Sequence, residues 1–263
     1  MIVLRELCKN VATYAPTNLM ETWCNYGVIR GSPVLGQPPE AMAGVVKTAY
    51  FDRIADSIGR DASLAYLEFG VWEGHSLRHW TKANTSPQSR FIGFDSFVGL
   101  PQQWRRRPAG YFSVQGQTPD IDDPRVSYQV GWFNKTLCPW LEGEGRKVLD
   151  GRTPVVHLDG DLFHSGLFVL GRLHSVLDRY HLLIDNYSGG EARSLHDYLT
   201  AYGASFEPRL ARKRKRVSRV LGQVYGVVDT GRKRPEEPVG RIVAQVEAEV
   251  EAKAGSEAAG LTA

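Results

Sequence analysis

Between residues 64 and 205, short apolar runs alternate with stretches that carry apolar side chains at helical spacing. The apolar runs predict strands over Leu64–Phe69, Arg90–Asp95, Arg125–Gly131, Pro154–Asp159 and His181–Asp185. The stretches between them predict helices over Ser76–Ala83, Thr136–Glu142, Ser165–Arg179 and Gly190–Tyr202. This alternation favours an α/β fold in which a mostly parallel sheet has helices on both faces.

The segments that flank this region have other patterns. Residues 41–59 predict a helix with its apolar face at Val45, Ala49, Ile54 and Ile58, after a Gly/Pro-rich loop over Gly31–Pro39. Residues 206–229 predict two strands that close the sheet, joined by the basic segment Arg212–Arg216. We therefore expect a substrate-covering region of helices and loops over residues 1–60, a central domain over 61–230, and a C-terminal tail over 231–263.

Acidic residues collect at the predicted strand ends. Four of the five strand candidates end in or beside an acid, at Glu68, Asp95, Asp159 and Asp185. Parallel α/β sheets bind their ligands at the carboxyl ends of the strands, and unpaired buried carboxylates are costly. The pattern therefore predicts a binding site at this edge of the sheet.

The first two strands carry the pattern of an adenosine site. The first strand runs into a turn at Gly70 and then, after Gly74, into a helix. Gly70 permits a tight turn, and Gly74 lets a ligand approach the helix N-terminus. Asp95 ends the next strand, where a carboxylate can accept both ribose hydroxyls of an adenosine. The alternative is a purely structural strand–helix–strand unit with a capping aspartate.

The last two strands predict a metal site. Asp159 begins an Asp-Gly-Asp segment, and Asp185 and Asn186 follow the next strand. Neighbouring strand ends lie about 5 Å apart, so oxygen atoms of these three residues can converge. Such ligands suit Mg²⁺ or Ca²⁺ and not zinc. The alternative is that residues 185–190 form only a turn and a helix cap. His164 follows the Asp-Gly-Asp segment and is placed to face a substrate.

Composition narrows the class of protein. The chain has 263 residues, of which 42% are hydrophobic and 23% charged, which excludes a disordered chain. A net charge of +3 is too small to imply a nucleic-acid partner. The sequence has no apolar run long enough to predict a membrane span, and its first residues lack the apolar stretch of a signal peptide. Three scattered cysteines fit reduced thiols, so we expect a cytoplasmic protein.

Five motifs occur in order in the central region: Glu68–Gly74, Gly93–Pro101, Gly131–Leu137, Asp159–Leu162 and Ile184–Tyr187. Together they resemble the macrocin O-methyltransferase family, a branch of the class I S-adenosylmethionine-dependent methyltransferases. The resemblance covers residues 64–205, and Gly93–Pro101 is its most specific part. It implies a Rossmann-like class I methyltransferase sheet, mostly parallel with an antiparallel closing strand.

The resemblance also implies cofactors, an acceptor and site residues. The cofactors are S-adenosylmethionine and Mg²⁺, and the methyl acceptor is a hydroxyl of a small molecule, notably on a sugar of a natural product. The residues implied for S-adenosylmethionine are Glu68, Gly70, Gly74 and Ser76, then Asp95 at the ribose, and Ser96 and Phe97 near the adenine. The residues implied for the metal are Asp159, Asp185 and Asn186.

The predicted reaction is methyl transfer from S-adenosylmethionine to a hydroxyl oxygen. Asp159 is the first candidate for the general base and His164 the second. The related catechol and caffeoyl-coenzyme A O-methyltransferases carry a lysine just after the second aspartate, where this chain has Leu162. No lysine base is therefore assigned. The family tendency and the apolar N-terminal helices predict a homo-oligomer, a dimer or larger.

Three other functions stay open. A catechol-type enzyme would methylate a phenol, and an RNA ribose methyltransferase would use the basic run 212–216 and bind RNA with steep salt dependence. A non-catalytic adenosine-binding protein would bind the cofactor without any dependence on metal. The small net charge and the retained Asp159, Asp185 and Asn186 oxygens favour the small-molecule enzyme.

Overall fold

The computed structural model describes residues 32–187, 189–214 and 217–232. Numbered in chain order, the strands are β1 (Glu40–Met42), β2 (Leu64–Phe69), β3 (Arg90–Asp95), β4 (Val126–Val130), β5 (Thr153–Leu158), β6 (Arg179–Ile184), β7 (Ser205–Arg214) and β8 (Val217–Asp229). The helices are α1 (Lys47–Ile58), α2 (His75–Ala83), α3 (Phe133–Trp140), α4 (Arg146–Leu149), α5 (Phe163–His174) and α6 (Gly190–Tyr202). A π-helical turn, Leu141–Gly145, joins α3 to α4.

The strands form one sheet in the order β1-β7-β8-β6-β5-β2-β3-β4. β8 is antiparallel to both of its neighbours, β6 and β7. The remaining neighbouring pairs are parallel. The prediction of a mostly parallel sheet with an antiparallel closing strand is therefore confirmed. The chain runs outward from β2 to β4 and then crosses back to β5, so the strand order reverses between β2 and β5, where such sheets bind ligands.

Two apolar clusters cover the two faces of the sheet. On one face, α1 and α2 bury Phe51 and Trp80 against Tyr66 of β2. On the other face, Leu173 of α5 and Leu195 of α6 are buried in one cluster with apolar side chains of the strands. All six residues of β2 are buried, which explains why this central strand has a continuous apolar run instead of alternation.

The N-terminal segment that is described belongs to this sheet and its core. β1 pairs in parallel with β7, and α1 buries Tyr50, Phe51, Ile54 and Ala55. The helix predicted over residues 41–59 begins only at Lys47, because Ala41 and Met42 belong to β1, and its buried positions differ from the predicted set except at Ile54. Residues 1–31 and 233–263 lie outside the described part of the chain, and so do most of the predicted covering region and the predicted tail.

Two further sequence predictions are wrong in detail. The helix predicted over Ser165–Arg179 ends at His174, because Arg179 already pairs with Asp229 of β8. The basic segment was expected to be a loop, but Arg212–Arg214 continue β7 by pairing with β8. Lys215 and Arg216 lie outside the described residues. Among the helices that the structure describes, none has both the length and the apolar character to cross a membrane.

Candidate functional site

The carboxyl ends of β2, β3, β5 and β6 surround a cavity of about 910 Å³. Its volume lies within the range of small-molecule sites, roughly 300–1,000 Å³. The predicted site residues that line it are Glu68, Gly70, Ser76, Asp95, Ser96, Asp159, His164, Asp185 and Asn186. The structure therefore brings together the predicted cofactor and metal residues, with Gly74 and Phe97 as the two exceptions.

Gly70 is required where two strand-end loops meet. Its φ is +98°, and a Cβ there would overlap the backbone carbonyl of Asp159. The loops after β2 and β5 are further joined by the Asp159 N–H, which donates to the Phe69 carbonyl at 2.9 Å. A tight glycine turn was predicted, and the structure adds that the turn packs on the Asp159 backbone.

Gly74 and Phe97 face other parts of the protein. Gly74 has a φ of +74°, and a Cβ there would lie 2.8 Å from Pro119. The left-handed turn and the close contact with Pro119 are sufficient to require a glycine here, and the approach of a ligand stays a prediction. Phe97 is buried, and its ring packs edge-to-face on Tyr128 at 5.9 Å. The Phe97 ring therefore belongs to the core, and its predicted position near an adenine stays a prediction.

Asp95 ties the glycine turn to the end of β3. Its Oδ2 accepts the backbone N–H groups of Val71 at 2.7 Å and Trp72 at 2.9 Å. Its Oδ1 accepts the Phe97 N–H at 2.8 Å. A carboxylate offers about four acceptor positions, so Asp95 keeps capacity for a hydroxyl donor in the cavity.

Lys47 also lies at the site, although no pattern in the sequence predicts this. Its Nζ lies 3.0 Å from Asp159 Oδ2 and 2.8 Å from Asp185 Oδ1. It is the first residue of α1, 112 positions before Asp159, so only the folded sheet brings it there. The two predicted metal-binding aspartates therefore do converge, and an ammonium group lies between them.

One buried carboxylate, Glu191 at the start of α6, clamps the loops after β5 and β6. Its Oε1 accepts the Asp161 N–H at 3.0 Å, and its Oε2 accepts the Asn186 N–H at 2.9 Å. The Asn186 side-chain amide also donates to Asp161 Oδ1 at 2.6 Å. Glu191 is not distinctive in the sequence, because an acid in the first turn of a helix is an ordinary cap residue.

A buried chain of polar groups connects the two halves of the site. Tyr66 donates to Glu68 Oε2 at 3.0 Å, and the Tyr66 hydroxyl lies 2.8 Å from His157 Nδ1. On its other side, His157 Nε2 lies 3.7 Å from Asp185 Oδ1. His157, Asp159 and Asp185 offer ligand atoms within 4.8 Å of one another, so His157 joins the potential metal donors.

The environments of the two aspartates push their pKa values in opposite directions. Burial and the charge of Asp185 raise the pKa of Asp159, and Lys47 offsets this only in part. Burial would also raise the pKa of Asp185, but the charge of Lys47 and the nearby His157 keep it below its usual value. Such a split is typical of a pair in which one carboxyl exchanges a proton and the other stays ionised.

Lys47 itself stays protonated. Burial would lower the pKa of Lys47, but the charges of Asp159 and Asp185 outweigh burial and raise this pKa above its usual value. A general base must be able to lose its proton near the working pH. Lys47 is therefore a fixed positive charge and not a candidate base.

Glu68→Gln should make the protein more stable at alkaline pH. Burial raises the pKa of Glu68 from 4.5 to about 7, so the folded protein holds a proton that the unfolded chain releases. Stability contributed by this proton is lost as pH rises from the unfolded pKa to the folded one. Between pH 5 and pH 8, we expect the variant to gain about 2–3 kcal/mol over wild type in urea unfolding. Glu142→Gln, at an exposed position of the π-helical turn, is the control and should show no such trend.

Aromatic side chains make up part of the cavity lining. Trp104, Phe112 and Phe168 line it, together with Arg107. The Arg107 guanidinium lies 4.9 Å from the Trp104 ring centre and 5.0 Å from that of Phe112. These flat faces suit a ring-shaped acceptor beside Asp159 and His164.

No protein-family model and no curated protein matches the sequence. Among solved structures, the fold is similar to an O-methyltransferase from Bacillus cereus in complex with SAH, at 10% identity and a TM-score of 0.42, covering 85% of this chain and 97% of that one. It is also similar to TomG from Streptomyces achromogenes in complex with SAM, at 12% identity and a TM-score of 0.41, covering 86% and 96%. Aeropyrum pernix fibrillarin with bound S-adenosyl-L-methionine matches at 14% identity and a TM-score of 0.37, covering 64% and 67%. The superpositions are too loose to transfer a function to this chain.

Proposed function

We propose that this protein is an S-adenosylmethionine-dependent O-methyltransferase that acts on a hydroxyl of a small molecule. The observation that supports it most is the single cavity in which a glycine turn with Asp95 faces Asp159 and Asp185. A sugar moiety of a natural product is the first acceptor class, in line with the motif resemblance.

The cofactor half of the cavity suits an adenosine with a short charged tail. The Gly70 turn keeps side chains away from its own end of the cavity, and Asp95 retains acceptor positions for ribose hydroxyls. Ser76 and Ser96 add hydroxyls to the same lining. S-adenosylmethionine supplies an already electrophilic methyl carbon, so the protein has to align the acceptor and remove its proton.

Asp159 is the proposed general base. Its carboxyl lines the cavity, where it can accept a proton from an acceptor hydroxyl. His164, on the first turn of α5, lines the same part of the cavity and is the second candidate. Phe168, one turn further along α5, places an apolar surface where the acceptor ring would lie.

The donor set also fits a divalent ion. Asp159 and Asp185 provide the carboxylate oxygens that Mg²⁺ prefers, and we propose Asn186 as the third ligand. When bound, Mg²⁺ would lower the pKa of the acceptor hydroxyl and help to orient it. Lys47 neutralises part of the same negative charge in the protein without the ion.

A phenolic acceptor is the second candidate, because Trp104, Phe112 and Phe168 line the cavity and offer ring faces on which a phenol can stack. The basic run 212–216 gives little support for an RNA acceptor, because the Arg212 side chain already donates to Gln223 and to the Val45 carbonyl. Homo-oligomerisation stays a prediction.

The first experiment is calorimetric titration with S-adenosylmethionine and S-adenosylhomocysteine, in Mg²⁺ and in EDTA. We expect both compounds to bind, and Asp95→Asn to weaken binding at least about tenfold because a charged acceptor is lost. The exposed Asp61→Asn is the matched control and should bind as wild type does. Absence of binding in every condition would overturn the cofactor assignment and the proposed function with it.

A further inference from the structure

The ammonium of Lys47 lies where a divalent ion would have to bind. Its distances of 3.0 Å to Asp159 and 2.8 Å to Asp185 are those of charge-assisted hydrogen bonds. An ion shared by these two carboxylates must also lie between their oxygens. The lysine and the ion therefore need the same position.

The fold holds the start of α1 at the site. The carbonyl of Val45, just before α1, accepts from Arg212 Nη1 at 3.3 Å. Arg212 Nε donates to Gln223, and the Gln223 amide donates to Asp185. The segment that carries Lys47 is thus connected to Asp185 through side chains of β7 and β8. The contact of Lys47 with the two aspartates is therefore supported by the surrounding fold.

Charge balance favours one cation at a time. Lys47 alone leaves the aspartate pair with one net negative charge, and a divalent ion alone would neutralise it. Both together would set three positive charges against two negative ones. The three side chains are only 32%, 24% and 19% exposed for Lys47, Asp159 and Asp185, so water screens this repulsion weakly.

We propose that Lys47 and a divalent ion compete for one position between Asp159 and Asp185, and that binding of the ion releases the ammonium into the cavity. This inference rests on the proposed function, which assigns the divalent ion to these two aspartates. Lys47 acts as a positioning residue: it keeps the carboxylates together before the ion arrives, and it weakens the affinity for the ion.

The test is a titration of metal-free protein with Mn²⁺, with free Mn²⁺ read by electron paramagnetic resonance. Lys47→Met keeps the apolar stem and removes the charge, so we expect it to bind Mn²⁺ at least about tenfold more tightly than wild type. Arg53→Met removes a charge from an exposed position of the same helix and should change the affinity less than twofold. The proposal is overturned if Lys47→Met binds Mn²⁺ no more tightly than wild type, and equally if neither protein binds it.

A second measurement uses the native chain and remains informative if Lys47→Met folds poorly. Acetic anhydride labels free amines, and peptide mass spectrometry reports the rate at each lysine. We expect saturating Mg²⁺ to raise labelling of Lys47 several-fold and to leave the exposed Lys82 unchanged. An ion that binds without changing the labelling of Lys47 would refute the competition. Neither readout involves methyl transfer, so a failed function test and a failed competition test remain distinguishable.

Discussion

Asp159→Asn should lower the rate of methyl transfer by at least about 100-fold while S-adenosylmethionine still binds. The amide cannot take up a proton, and positioned acid–base groups contribute roughly 10²–10⁴ to a rate. The cofactor residues at Gly70 and Asp95 lie on other strands and keep their contacts. Turnover is measured with a methyl-labelled donor, and cofactor affinity by calorimetry.

Asp161→Asn is the matched control two residues away. Burial raises the pKa of Asp161 to about 8, so this side chain is largely protonated at neutral pH and an amide imitates it. Its Oδ1 can still accept from Asn186 after the change. We expect less than about a tenfold loss of rate, and an Asp159→Asn enzyme with the wild-type rate would contradict the assignment of the base.

Gly70→Ala should cause the largest loss of stability of the substitutions considered, about 3–5 kcal/mol. The new Cβ would overlap the Asp159 carbonyl, which belongs to the backbone and cannot rotate away. The positive φ adds a cost of about 1–3 kcal/mol, and the forced shift of a packed loop accounts for the rest. Urea unfolding at constant pH measures the difference.

Gly203→Ala separates the two parts of that cost. Gly203 has a φ of +65° at the end of α6, and a Cβ there would meet nothing within 4 Å. We expect this variant to lose only about 1 kcal/mol. Equal losses at both positions would mean that the contact of Gly70 with the Asp159 carbonyl contributes nothing.

Local periodicity was sufficient for the central elements. The predicted bounds of β2, β3 and α6 agree with the structure, because long apolar runs and helical spacing reflect burial within each element. β1 was missed, and its residues Ala41 and Met42 were predicted as the start of a helix, because they become a strand only by pairing with β7. The range predicted for α5 was too long. Leu177 continues the apolar spacing of this helix, although the helix ends at His174.

The site residues also divide into those that local sequence predicts and those that depend on distant parts of the chain. Acids at strand ends are visible in the sequence, and the parallel sheet places them at one edge. Lys47, Glu191 and the Tyr66–His157 pair were not predicted, because their roles depend on partners from other elements. The Tyr66 and His157 side chains, for example, are 91 positions apart in the chain.

The pairing of β1 with β7 also bears on how the protein folds. It delivers Lys47 to the aspartates, yet Val45 and its partner Arg212 are separated by 167 residues. Contacts of such long range close large loops and form slowly relative to local ones. In a nascent chain, β1 and the carbonyl of Val45 gain these partners only after β7 has been synthesised. The contacts that hold the start of α1 beside the aspartates therefore depend on the C-terminal strands.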